Sequence, residues 1–287
     1  MHRRDFFRAA AATGVTMSAI PAANAATSLP MTQPKNRLKQ SICRWCFDSF
    51  KLDELARHAK QIGYQSIELL NPDEWPVVAQ AGLTCAVASF VPSNTIPRGF
   101  NRVEHHDSII KELEERLPLV KDAGIPAQIV FSGNRNGLSD ADGIKNCAKG
   151  LKRIVPLAEK LGITLVMELL NSRRDHRDYQ CDRTEWGVNL VNEVASDRFK
   201  LLYDIYHMQI MEGDVIATIQ KHHAAIGHYH TAGNPGRNEF DDSQELNYKG
   251  ICSAIVATGY TGFLGQEFMP RKEPLTSLRE AFAICDV

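Results

Sequence analysis

Eight short apolar runs, each followed by a polar loop and an amphipathic stretch, recur through most of this sequence, and that rhythm restricts the chain to a few folds. The runs cover residues 39–47, 66–70, 84–91, 127–133, 164–170, 199–206, 226–232 and 262–269. They are rich in Val, Ile, Leu and Phe, as strands buried on both faces should be. Helical patterning occupies 52–62, 73–81, 106–123, 144–161, 184–195, 214–223, 247–258 and 275–284, with Asp53, Asp73 and Thr184 as helix starts. Gly63, Gly82, Gly124, Gly162 and Gly259 stand just before following strands, where a left-handed residue ends a helix at little cost. No long Gly/Ser linker divides the units, so they predict one closed (β/α)8 barrel over 39–287 rather than an open doubly wound sheet. The 287 residues suit one such barrel, typically ~250 residues.

The first residues are different in kind. Arg3-Arg4-Asp5-Phe6-Phe7 opens an Ala-rich, weakly apolar run that ends at Ala23-Asn24-Ala25. Twin arginines, an apolar stretch and a small-x-small site, in that order, predict a cleavable twin-arginine export signal over 1–25 and a periplasmic location. Residues 26–38 then read as a polar linker. Cleavage would remove Arg3, Arg4, Arg8 and Asp5, leaving the mature chain more acidic than the formal −1 of the whole. No other stretch approaches the ~18 apolar residues of a membrane span, so no membrane association is expected after cleavage.

Other function classes lose support in the same way. No G-x-G-x-x-G follows the first strand and no Walker sequence occurs, which argues against nucleotide binding. No basic patch interleaved with aromatics appears, so nucleic acid is not an expected partner. A homo-oligomer is compatible with the sequence but not specified by it. Cys43-Arg-Trp-Cys46 spells C-x-x-C, yet it falls in the first strand, where alternation would send the two thiols to opposite faces. All seven cysteines are better read as buried structural residues than as a redox pair.

In a (β/α)8 barrel the chemistry gathers at the C-terminal ends of the strands. Strand five ends with Glu168, strand six with Asp204, strand seven carries His228 and His230, and strand eight ends with Glu267. A carboxylate inside an apolar strand is costly unless paired, hydrogen-bonded or bound to metal. Any one of them could be merely structural. Four metal-competent groups, Glu168, Asp204, His230 and Glu267, on four consecutive strands point to a cation. Three carboxylates and one imidazole make a mostly hard donor set, suited to Mn²⁺ or Mg²⁺, with Co²⁺ acceptable, and unlike a thiolate zinc site. His228 should share the face of His230, as a supporting or substrate-binding residue or a hydrogen-bonded core histidine. Trp45 and Phe47, late in strand one, are candidate walls of a substrate pocket or part of the core. The adjacent pairs His105-His106 and His222-His223 are expected on helix surfaces.

These residues reach a known family. Tyr203-Asp204-Ile205-Tyr206-His207-Met208-Gln209 followed by Met211-Glu212-Gly213, then Ile226-Gly227-His228, Ala232-Gly233-Asn234-Pro235-Gly236-Arg237, Glu245-Leu246-Asn247-Tyr248 and Gly265-Gln266-Glu267-Phe268, resemble hydroxypyruvate isomerases of the xylose-isomerase-like barrel superfamily. The likeness is specific over 160–270 and general over 40–160. It implies that Glu168, Asp204, His230 and Glu267 are metal ligands, that Glu168 and Glu267 are the acid/base pair, and that His207 and Arg237 hold substrate oxygens. Hydroxypyruvate isomerases can carry Gln at the position of His230, whereas the related ketose 3-epimerases carry His.

The resemblance implies an enzyme acting on a small 2-oxo acid or ketose. A metal chelated by carbonyl and hydroxyl oxygens would stabilise the enediolate formed when a neighbouring C–H loses its proton. One glutamate removes that proton; it or its partner returns one. Return to the adjacent carbon interconverts hydroxypyruvate and tartronate semialdehyde. Return to the opposite face of the same carbon is epimerisation, as in a ketose 3-epimerase, and a 2-oxo-tetronate isomerase would use a similar site. Metal-dependent phosphoester cleavage would need more histidines at strand ends and a basic face, and a sugar-binding module would need no paired glutamates.

Overall fold

The computed structural model describes Lys35 and residues 37–287; the expected export signal and most of the linker lie outside these. Eight strands run β1 Lys39–Cys43, β2 Ser66–Glu68, β3 Val87–Ala88, β4 Ala127–Val130, β5 Thr164–Glu168, β6 Phe199–Asp204, β7 Ile226–Thr231 and β8 Phe263–Gln266. All are parallel, in the order β2-β1-β8-β7-β6-β5-β4-β3. Single parallel bridges, Ser66 to Thr84 and Leu70 to Ala88, join β2 to β3 and close the cylinder. The expected (β/α)8 barrel is therefore the observed one.

Helices α1 Leu52–Ile62, α2 Trp75–Gln80, α3 His106–Asp122, α4 Asp140–Leu161, α5 Thr184–Val194, α6 Ile205–Met211, α7 Val215–His222, α8 Tyr248–Ala257 and α9 Pro274–Cys285 accompany the strands. The five glycines expected to end helices all have positive φ. The third strand, expected over 84–91, is only Val87–Ala88, and three other differences have a local cause. Helix α4 begins at Asp140 rather than near 144 because the Ser139 side chain caps the backbone N–H of Asp142. Helix α6 was not anticipated: Asp204 caps it directly, so β6 stops at 204 instead of 206. Residues 44–47 form a 3₁₀ turn, not strand, so Cys46 is not on a strand face at all. All seven cysteines are buried and free.

Strand side chains fill the barrel and its contacts with the helices: Ile42, Ile67, Val87, Val130, Leu165, Leu201 and Leu264 are almost wholly removed from water. Backbone conformation also sets close approaches. A Cβ on Gly99 would lie 2.3 Å from the backbone of Gly133 and Ser132, so the loop after β3 crosses the end of β4 with no room for a side chain. His106 departs from its expected surface position. It is 1% exposed and its Nε2 lies 2.8 Å from the Phe100 carbonyl. Among the described residues, no helix is long and apolar enough to cross a membrane.

Candidate active site

Strand register assembles the site. His230 is registered with Asp204 on one side and Gly265 on the other, and the Glu267 backbone N–H donates to the Thr231 carbonyl. The glycine matters here, because a Cβ at 265 would lie 2.6 Å from Glu68 Oε1 and 2.8 Å from His230 Cδ2. Ligand atoms of Glu168, Asp204, His230 and Glu267 all lie within 4.8 Å of one another, in buried positions at the C-terminal mouth.

Each member is held by neighbours. His230 Nδ1 is 3.2 Å from Glu168 Oε1 and 3.3 Å from Glu267 Oε2. Trp45 Nε1 donates to Glu267 Oε1 at 3.0 Å, and Arg237 Nη2 donates to Glu267 Oε2 at 2.6 Å. The guanidinium lies over the rings of Trp45, at 5.1 Å, and Tyr206, at 5.4 Å. Asp204 Oδ1 accepts the His207 backbone N–H, while its Oδ2 is buried with no partner.

The electrostatics separate the carboxylates. Burial, reinforced by the charge of Glu267, holds the Glu168 carboxyl above its usual range, and burial does the same more strongly for Asp204. Burial also opposes ionisation of Glu267, but His230 and Arg237 outweigh it and hold that carboxyl well below the usual range. Burial, then the positive charge of Arg237, keeps His207 neutral. Three buried carboxyls with one unpartnered oxygen among them fit a divalent cation, which would draw Glu168 and Asp204 into their ionised forms.

The other sequence candidates divide. Trp45 reaches the site and remains 41% exposed at the mouth. Phe47 does not line a pocket: it is 1% exposed and packs edge-on against Phe268 with ring centroids 5.5 Å apart, because the 3₁₀ turn rotates it inward. His228 lies beneath the cluster, its Nε2 2.8 Å from Glu68 Oε1, the same oxygen that His230 Nε2 approaches at 2.8 Å. Its contact is with this buried carboxylate.

Two further residues were not singled out in sequence. Glu68 ends β2 and is fully buried; burial opposes its ionisation, but His228 and His230 prevail and keep it a carboxylate. Asking which polar side chain ends strand two, as was asked of strands five to eight, would have found it. Asn171, just after β5, is fully buried against His207.

A closed parallel barrel with buried acids and an imidazole at its C-terminal mouth is the build of an α/β-barrel enzyme. Residues 56–285 match the profile of the xylose isomerase-like TIM barrels, and the chain belongs to that family of enzymes. It is 38% identical over 110 residues to the 2-oxo-tetronate isomerase of Cupriavidus necator, covering 38% of this chain and 42% of that protein. To the hydroxypyruvate isomerase of Escherichia coli it is 31% identical over 131 residues, 46% of this chain and 50% of that protein. The matched segments thus span half or less of these relatives. A solved structure titled AP endonuclease, family 2, from Brucella melitensis superposes with a TM-score of 0.73 at 24% identity, over 86% of this chain and 97% of that one, and shows a shared fold.

Proposed function

We propose that this enzyme moves a proton between adjacent carbons of a small 2-oxo acid, interconverting hydroxypyruvate and tartronate semialdehyde or a close analogue. One observation carries the reading: Glu168 Oε1 and Glu267 Oε2 lie 3.2 and 3.3 Å from the same His230 nitrogen, so two carboxyls converge on one point at the barrel mouth. Two carboxyls converging on one position suit proton removal and return on one substrate. Glu168, Asp204, His230 and Glu267 would hold a divalent cation, Mn²⁺ or Mg²⁺ in preference to Co²⁺, which would supply positive charge beside the substrate oxygens. Arg237 brings a guanidinium beside Glu267, where it can turn to a substrate carboxylate and bind it through two parallel hydrogen bonds. His207 offers a buried ring nitrogen to a substrate oxygen. The names of the two curated relatives agree with isomerisation of this substrate class.

A second reading, ketose 3-epimerisation, is favoured by the identity of residue 230 as His. Incubation of the metal-loaded enzyme with 2-oxo acids and free ketoses in D₂O, followed by NMR, tests both. The expected result is deuterium at C3 of hydroxypyruvate with formation of tartronate semialdehyde, abolished by chelator and restored by Mn²⁺. Inversion at C3 of ketoses, with hydroxypyruvate untouched, would transfer the assignment to epimerisation. Metal-independent turnover would remove the cation from the proposal.

We also propose export to the periplasm, on the sequence of residues 1–25 alone. Replacing Arg3 and Arg4 by Lys should leave the protein in the cytoplasmic fraction of expressing cells. Unchanged periplasmic recovery would rule out the twin-arginine route.

A further inference from the structure

We propose that Asn171 is a positioning residue that fixes His207 as the tautomer with its proton on Nε2, so that the ring donates a hydrogen bond to the reacting substrate's oxygen. The inference rests on the proposed reaction only for the identity of that oxygen.

The argument begins with the Asn171 amide, whose orientation is decided by its neighbours. Its Oδ1 accepts two backbone N–H groups, from Arg174 and from Asp175, both at 3.0 Å. Rotating the amide by half a turn would set an NH₂ against two N–H donors, leaving three donors and no acceptor. The oxygen therefore faces the backbone, and the NH₂ faces Asp175 Oδ2 at 2.8 Å and His207 Nδ1 at 2.6 Å. An amide NH₂ can only donate, so His207 Nδ1 must be a lone pair. A neutral imidazole with a bare Nδ1 carries its proton on Nε2.

That Nε2–H is buried with no protein partner, its ring 0% exposed. The nearest acidic oxygen, Asp204 Oδ2, is 4.0 Å away, beyond a hydrogen bond, and is itself unpartnered. A buried N–H left without an acceptor is costly, and a ligand oxygen would satisfy it. Asp175 holds the arrangement from outside: the Tyr206 hydroxyl donates to Asp175 Oδ2 at 2.9 Å, and that oxygen takes the second Asn171 hydrogen. The loop after β5 thus sets the proton of a ring on α6, and the chain presents a donor to developing negative charge without needing a charged histidine.

The test uses the full chain labelled with ¹⁵N-histidine and loaded with diamagnetic Mg²⁺, at pH 8. In the wild type, His207, assigned through His207→Gln, should show an unprotonated Nδ1 and a protonated Nε2. Asn171→Asp keeps the oxygen that accepts both backbone N–H groups but turns a second acceptor towards Nδ1. The double variant Asn171→Asp/Asp175→Asn relieves the carboxylate–carboxylate repulsion and protects the fold. In both, the proton should move to Nδ1 or both nitrogens become protonated. Hydroxypyruvate turnover should fall roughly 10²-fold in kcat, the scale of one lost donor, with KM changed far less. A protonated Nδ1 in the wild type overturns the inference. So does a double variant with the changed ring signature and wild-type kcat, or with lost kcat and an unchanged ring. If the wild type turns over no substrate, the NMR pattern still decides the tautomer, so failure of the reaction and failure of the inference stay distinct.

Discussion

His230 Nε2 lies 2.8 Å from Glu68 Oε1, on the opposite side of the ring from Glu168 and Glu267. A carboxylate on that nitrogen fixes the ring so that Nδ1 faces the acids. Glu68→Gln should preserve the shape but weaken this hold. Mn²⁺ affinity measured by calorimetry is expected to fall about 10–100-fold, the usual cost of losing such a supporting partner, in protein whose circular dichroism remains native. Undiminished affinity would leave Glu68 with a packing role only.

Glu168→Gln and Glu267→Gln should each lower turnover by ~10²-fold or more, measured at saturating metal so that weakened binding is not mistaken for lost chemistry. Glu267→Gln also loosens Arg237 and Trp45, which both lean on its oxygens. Its KM should therefore shift more than that of Glu168→Gln. Near-wild-type kcat in either variant removes that glutamate from proton transfer.

Arg237 separates the two substrate classes. Arg237→Met loses both charge and fork, and Arg237→Lys loses only the fork. Steady-state kinetics should show KM for hydroxypyruvate rising far more than KM for a neutral ketose in the Met variant, with Lys between. Equal changes for charged and neutral substrates would mean that Arg237 holds a hydroxyl or carbonyl oxygen.

What could be read in the sequence follows from what repeats in it. The barrel was legible because buried parallel strands need uninterrupted apolar runs, and the cluster was legible because carboxylates are rare in such runs. His106 went astray, and Phe47 stayed open between pocket wall and core, for a shared reason. Each is placed by a turn, the 3₁₀ segment at 44–47 and the loop bearing Phe100, and periodicity does not report turns. Asn171 was visible as a residue but not as a role. Its function depends on Asp175 four positions on and His207 thirty-six positions on, a relation that exists only once the loop after β5 is folded.

His106 predicts how stability varies with acidity. Burial holds its ring below the ordinary histidine range despite the Phe100 carbonyl, and its Nδ1 has no partner. The folded state therefore resists a proton that the unfolded chain accepts near pH 6.5. This contribution is complete above that value and is lost as pH falls towards the lower folded pKa. His106→Gln can still donate to Phe100 and does not titrate. Urea melts at pH 7.5 and 5.5 should show the wild type losing more stability than the variant over that interval. Parallel losses would mean that the ring does not titrate differently on unfolding.

Asp204 is at once the last residue of β6 and the cap of α6, and one of its two oxygens is committed to the His207 peptide. A carboxylate so engaged has single denticity left to offer, and the plane of its free oxygen is dictated by the main chain. The acid and the imidazole three residues later thus share a covalent ruler, with no loop between them to lengthen or shorten. Arg237, by contrast, rides on the loop after β7. That loop can change without altering the spacing of Asp204 and His207, whereas any insertion between 204 and 207 would break it.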